Sequence, residues 1–353
     1  MSHSTRIEVA VTGYGWELPA LGHPVNLARA LAGPPAAAAT FAPEAKLGKK
    51  GLRYKERATL MSLCAAKTAL QDAGWLDADT VRLDDTQFGV VVASNTGNLG
   101  TVCAAAETIR LAHVDATSPM DLPNASSNIV AATVAIRFGL KALNLLVCSG
   151  SSASLDALIL AANAIRNGRA RRMVVVATET DGLPLQSLLS QTDGAHVAHK
   201  PVPVLEGSFA VVLEAAFDAR QRASTIYGVL SDYAYAHAGT APACRLRALL
   251  ASHAGKRLYT PPVSAGDLLA HRAFDGAAAP CDLGPTAARA YGSAALLQLV
   301  HYCESRQSDV SSDATGDGAV LVAGGMWGDR RLGALAVQAR PAMSASESGA
   351  VHP

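Results

Sequence analysis

Residues 145–180 read LLVCSGSSASLDALILAANAIRNGRARRMVVVATET. A β-prone apolar run ends near Cys148 and turns at Ser149-Gly150-Ser151-Ser152. An Ala/Leu/Ile-rich stretch of helical length then reaches Asn167-Gly168, and a second apolar run spans Met173 to Ala177. The order this implies is strand, tight elbow, buried helix, strand. The first N–H groups of such a helix lack intrahelical partners and favour negative charge, which makes the elbow a place where an acyl-transfer enzyme could hold a nucleophile.

The α/β pattern extends outward from this stretch. Ile7 to Thr12 alternates and stops at Gly13, which predicts a strand entering a turn. Tyr54 to Ala73 carries apolar residues at helical spacing and closes at Gly74, as a Gly C-cap would close it. Gln87 to Ala93 is a short Val-rich run, the mark of a strand buried on both faces; Phe209 to Glu214 continues the alternation. A second series follows: strand Ile226 to Tyr235, helix Cys244 to His253, helix Ala287 to Cys303, and strands Ala319 to Ala323 and Leu332 to Gln338. The helix at 287–303 mirrors the one at 153–165, each behind a Gly-containing turn. The chain thus reads as two similar α/β halves, 1–220 and a shortened 221–340, with a small polar tail at 341–353 expected to be disordered.

The 353 residues are 50% hydrophobic, 17% charged and 5% aromatic, with a formal net charge of +1. A large core is within reach, and no basic block points to nucleic acid. No segment reads as a signal peptide or membrane span, so the expected location is the cytoplasm. Cys64, Cys103, Cys148, Cys244, Cys281 and Cys303 show no CxxC pair, and they are expected to be buried, reduced thiols without disulfide, zinc or other cofactor.

Several motifs, in order, carry a resemblance: KLGKKGLRYKERATLMSLCAAKTALQDAGW (46–75), GVVVASNTGN (89–98), the run from Ser118 through the elbow to Thr180, and EGSFAVVLE (206–214). Together they are similar to the β-ketoacyl synthases of the thiolase superfamily, strongly up to Glu214 and weakly beyond. The resemblance implies a five-layer α/β/α/β/α fold. It also implies a nucleophilic Cys in a pattern like CSSSLVAL, about seventeen residues before a helix-ending Gly. Counting back from Gly168 reaches Ser151, so a Ser stands at the nucleophile position. Cys148, three residues earlier, is expected to be a structural thiol.

The family's cysteine works with two histidines. One belongs to an HGTGT segment, and the matching stretch Tyr259 to Asp267 contains none; the other precedes an Ala-rich helix, and Pro285 stands in its place. The Lys expected before it gives way to Ala279, Pro280 and Cys281, and the family's gating turn is approximated by Gly324-Gly325-Met326-Trp327-Gly328. Gly13, Gly89, Asn124, Gly168, Glu179 and Gly207 stand where the family keeps them, with structural roles expected.

Decarboxylative condensation needs a thiolate and donors that stabilise an enolate. The resemblance therefore implies a silent, chain-length-factor-like subunit that pairs with an active ketosynthase, meets acyl carrier protein through the complex, and shapes the acyl tunnel with pocket candidates Ser151, Met326 and Trp327. Ser118 to Val130 and the strand ahead of Ser151 resemble the stretches through which family members dimerise. The alternative is a Ser151-dependent acyltransferase or thioesterase, for which His196, His199, His237, His253 and His271 are unassigned bases.

Overall fold

The computed structural model describes residues 7–21, 26–33, 41–77, 83–182, 204–237, 244–260, 280–281, 283–308, 318–324 and 331–339. Its elements in chain order are β1 (Val9–Glu17), α1 (Leu27–Ala32), α2 (Pro43–Leu47), α3 (Arg57–Asp72), β2 (Phe88–Ala93), α4 (Leu99–Ala112), α5 (Ile129–Phe138), β3 (Asn144–Val147), α6 (Ala153–Arg166), β4 (Arg172–Glu179) and β5 (Gly207–Ala215). They continue with α7 (Ala216–Gln221), β6 (Gly228–His237), α8 (Cys244–Ser252), β7 (Arg257–Tyr259), β8 (Pro280–Cys281), α9 (Gly284–Ala287), α10 (Ala294–Ser308), β9 (Gly318–Gly324) and β10 (Arg331–Gln338).

The strands run in the order β3-β2-β4-β5-β1-β6-β10-β9-β7-β8, and the two halves meet where Val9–Val11 of β1 pairs with Gly228–Leu230 of β6. Each half has the same pattern. In the first, β2 is parallel to β3 and β4, then β4-β5-β1 is antiparallel. In the second, β7 is parallel to β8 and β9, then β9-β10-β6 is antiparallel. The two series of strands thus repeat one pairing pattern.

Strand alternation sorts side chains into layers. Val91, Ala93, Met173, Val175 and Ala177 point into the cluster built on α6 and α10, whereas Val90, Val92, Val174 and Val176 face α3 and α5. In the second half Ala319, Leu321 and Ala323 join the central cluster, and Val320 and Val322 face Leu246, Leu249 and Leu250 of α8. Outer helices, strands, central helices, strands and an outer helix give the five layers. α6 is buried along nearly its whole length, Leu160 being exposed, and the first three turns of α10 are buried almost throughout. Each large aliphatic side chain sealed there contributes about 2 kcal/mol of transfer free energy.

Two expectations need correction. The first strand does not turn at Gly13 but continues to Glu17. Gly13 and Gly15 lie against α3 so closely that a Cβ would come within 2.4 Å of the Ala69 carbonyl and 2.5 Å of the Ala65 carbonyl; these glycines permit strand–helix contact. The helix expected from 287 begins at Ala294, because Tyr291 takes a left-handed conformation (φ 42°) and a turn spans Tyr291–Ser293. The 341–353 tail lies outside the described residues.

Candidate functional site

β3 leads into a 3₁₀ turn, Gly150–Ser152, that opens directly into α6. Gly150 sits at φ 67°, a region a residue without Cβ enters freely. Ser151 follows, fully buried. Asn95, from the loop after β2, clamps the turn from both sides. Gly150 N–H donates to Asn95 Oδ1 at 3.0 Å, and Asn95 Nδ2 donates to the Gly150 carbonyl at 3.1 Å.

Asn95 Nδ2 also donates to Glu179 Oε1 at 2.6 Å, while Thr96 Oγ1 donates to Oε2 at 2.8 Å. Glu179 ends β4 and has no exposed surface. Burial pushes its carboxyl up from 4.5 to about 7, against the opposing pull of the Thr96 and Asn95 hydrogen bonds. The second half contributes Gly292. A Cβ there would lie 2.2 Å from Asn95 Nδ2 and 2.3 Å from Glu179 Oε1, so only glycine fits against this pair without displacing it.

On the α6 side, Asp156 accepts from Ser149 Oγ at 2.5 Å and Ser152 Oγ at 3.3 Å. Arg331 donates to it with two nitrogens, at 2.9 and 3.0 Å, and Tyr235 OH is a further donor. These residues come from β10 and β6, so the junction of the two halves is polar around the elbow and apolar below it.

Of the residues singled out in the sequence, Ser151 lies in the elbow as expected. Cys148 donates to the Ser94 carbonyl at 2.9 Å, and burial, then Glu179, raise its thiol pKa, which makes it a poor nucleophile. The expectation of uniformly buried cysteines fails: Cys64 and Cys303 are buried, whereas Cys103 and Cys148 are exposed, all as free thiols. Cys103 lies on α4 and Cys148 directly follows β3.

Pro285 opens the short α9 and is exposed. Asn124 donates to the Tyr54 carbonyl at 2.5 Å, holding a residue whose φ is 63°, a structural task. Met326, Trp327, His196, His199 and His271 lie outside the described residues, as does most of the 259–267 stretch, and His237 is described only in its backbone as the last residue of β6. His253 bonds the Leu249 carbonyl and Ser252. His301, whose pKa burial lowers, meets Tyr259 OH at 3.0 Å. Asn95 and Asp156 both bond to the elbow, and among the described residues no group suited to hold a metal ion occurs.

Sequence reasoning missed Asn95, Thr96, Gly292 and the Asp156–Tyr235–Arg331 set. Asp156 had a visible signal: it is the one acid in a helix built mostly of small and aliphatic residues. Asn95 and Gly292 gave none, since what they do depends on contacts across 55 residues or more.

A second surface stands apart. None of α4 is buried, yet it and the following loop expose Val102, Ile109, Leu111, Val114, Met120 and Leu122. Among the described residues β3 is an edge strand, paired with β2. A groove of about 470 Å³, lined by Glu56, Thr101, Ala104, Thr108, Ser118 and Asp121, runs along α4.

Comparison with known proteins places this geometry. Residues 32–203 match the sequence model of the β-ketoacyl synthase N-terminal domain. The chain is 29% identical over 210 residues to 3-oxoacyl-[acyl-carrier-protein] synthase 2 of Rhizobium meliloti, covering 55% of this chain and 49% of that protein. It is 24% identical over 203 residues to the chloroplastic 3-oxoacyl-[acyl-carrier-protein] synthase II of Arabidopsis thaliana, covering 53% and 37%. The aligned region thus spans less than half the length of these relatives.

In overall shape the chain is similar to the structure of AntDE:AntF, a type II polyketide synthase acyl carrier protein in complex with its ketosynthase bound to the hexaketide (TM-score 0.75, 18% identity, 95% of this chain and 100% of that one). It is also similar to the ishigamide ketosynthase/chain length factor (TM-score 0.71, 20% identity, 95% and 100%). Those likenesses carry the fold. With the match to the β-ketoacyl synthase N-terminal domain running from the end of α1 past the elbow and the five layers in place, the chain is similar to the β-ketoacyl synthases in residues 32–203 and shares their fold.

Proposed function

We propose that this chain is a catalytically silent ketosynthase-like subunit, of the chain-length-factor type, that pairs with an active β-ketoacyl synthase in fatty-acid or type II polyketide assembly and forms part of the wall of the acyl tunnel. The observation that carries the reading is Ser151. It stands at the nucleophile position, sealed from solvent, and among the described residues its elbow is bonded to an amide and a carboxylate that is itself paired with Arg331. An alcohol is not the thiolate that condensation needs. Pro285, at the position of a family histidine, offers no side-chain acid or base.

The exposed apolar face of α4 and the open β3 edge support pairing. An uncovered strand edge and a run of exposed aliphatic side chains each invite association unless a partner covers them. Among the relatives in shape, one is a ketosynthase in complex with an acyl carrier protein and another a ketosynthase/chain length factor, which supports the same class of partners for this chain.

The test is co-expression with an intact ketosynthase and a carrier protein. A stable complex in sedimentation, with product formed only when both subunits are present, is expected. A soluble monomer at micromolar concentration whose omission leaves the product unchanged would overturn the proposal.

A further inference from the structure

Asp156 is out of keeping with its surroundings. It lies in the first turn of α6 with 8% of its surface exposed, against a core cluster of hydrophobic residues, Ala and Leu foremost. A buried ion pair rarely adds net stability over a well-packed apolar pair, because desolvating each charge costs several kcal/mol, and such pairs are better accounted for by what they hold in place.

Its contacts say what is held. Ser149 and Ser152, which bracket the Gly150-Ser151 turn, both donate to Asp156 Oδ2. From the other half of the molecule Arg331 forks across both carboxylate oxygens, stacked over the Tyr235 ring at 4.1 Å, and Tyr235 OH donates to Oδ1. One carboxylate thus bolts the two ends of the elbow to β6 and β10. We infer that Asp156 is a positioning residue that keeps the elbow closed over Ser151 by holding the hydroxyls on either side of it against the second half of the fold. The inference stands on this geometry and not on the partner proposed above, so it is tested on the chain alone.

A thiol placed by Ser151→Cys reports closure. Its alkylation by iodoacetamide is followed by peptide mass spectrometry, with the exposed Cys103 as internal standard, across pH 7 to 10. In the closed elbow the reporter should react slowly relative to Cys103. Adding Asp156→Asn, which keeps the shape and removes the charge, should raise the plateau rate at high pH about ten-fold as the elbow opens locally. Adding the pair Asp156→Leu and Arg331→Met should do the same while Tm holds or rises, since an apolar pair replaces the ionic one. A structural role alone would lower Tm and leave the reporter slow. A pure charge effect would move the titration midpoint of the reporter and leave the plateau where it was. Plateau rates within two-fold of the parent reporter in Asp156→Asn overturn the inference, whether or not the double variant folds.

Discussion

The molecule has two elbows, and they face each other. Gly150–Ser152 opens α6 in the first half and Tyr291–Ser293 opens α10 in the second. Each begins with a left-handed residue, Gly150 at φ 67° and Tyr291 at φ 42°. In this correspondence Ser151 matches Gly292. The backbone turn is common to both, so it belongs to the fold: each opens a helix that runs back through the central layer. The polar contacts are not common. Asn95 and Asp156 grip the first elbow, while the second supplies a bare Cα to the same junction. For Tyr291, an aromatic side chain in the left-handed region costs about 1 kcal/mol, against which its contact with Val204 and Leu99 can be set.

The largest effect expected from breaking this comparison is at Gly292. Gly292→Ala drives a Cβ to 2.2 Å from Asn95 Nδ2 and 2.3 Å from Glu179 Oε1, two atoms bonded to each other in the buried interior. Relief requires breaking that bond or moving the elbow, at a cost of about 3 kcal/mol. Ser151→Ala, at the matching position of the first elbow, should change stability by under about 1 kcal/mol. Denaturant midpoints of the two variants decide the matter, and equal losses would mean that the two turns are not the inequivalent pair described.

Glu179 gives the next effect, and its sign is fixed by the direction of its shift. Its carboxyl titrates near 7 in the folded protein and near 4.5 otherwise. Between those values the folded state keeps a proton that the unfolded chain has lost, so this group's contribution to stability falls as pH rises from about 4.5 to 7 and is level above. The full span corresponds to about 3 kcal/mol. Glu179→Gln cannot titrate. The difference in unfolding free energy between parent and variant should therefore change across pH 5 to 7 in the parent's disfavour and stay constant from pH 7.5 to 9; a difference independent of pH below 7 would refute the buried-carboxyl account.

A smaller effect separates the elbow from the outer face. Cys103 on α4 and Cys148 past β3 are exposed in the single chain. If a ketosynthase covers this side, adding it should slow alkylation of Cys103 by about ten-fold, while Cys64 and Cys303, already buried, should not react in either state. Cys103 reacting at an unchanged rate in a demonstrated complex would place the partner elsewhere.

How much of this was legible in the sequence follows from the range of the forces involved. Val-rich runs and a small-residue helix between glycines carry their own periodicity, so β2, β4, β5, α3 and α6 lie within a residue or three of where the sequence puts them. β1 overruns its expected end because Gly13, which reads locally as a turn signal, serves contact with α3; α10 starts late because the left-handed Tyr291 and Gly292, packed on Asn95 and Glu179, interrupt a stretch that reads locally as continuous helix. The replacement of a Cys by Ser151 could be counted from Gly168. That Asn95, 55 residues away in sequence, would clasp Gly150 could not, since no local propensity encodes a contact between two loops.

The smallest effect is the one that bears most directly on the first elbow. If Ser151 carries no acyl chain, it has no transition state to stabilise, and Ser151→Ala should leave the product output of an assembled complex within about two-fold of the parent. The rival expectation, a Ser-dependent acyltransferase, requires a base. Among the described residues Glu179 has a pKa near neutrality, but its carboxylate is spent on Asn95 and Thr96, and Asn95 in turn grips the backbone at Gly150. Intact mass of the purified chain after incubation with an acyl-carrier thioester separates the two. No adduct fits a turn that retains the fold's geometry without its chemistry. An adduct that forms at a rate compatible with turnover, and that Ser151→Ala abolishes, would make the first elbow a working nucleophile site and leave its difference from the second a catalytic one.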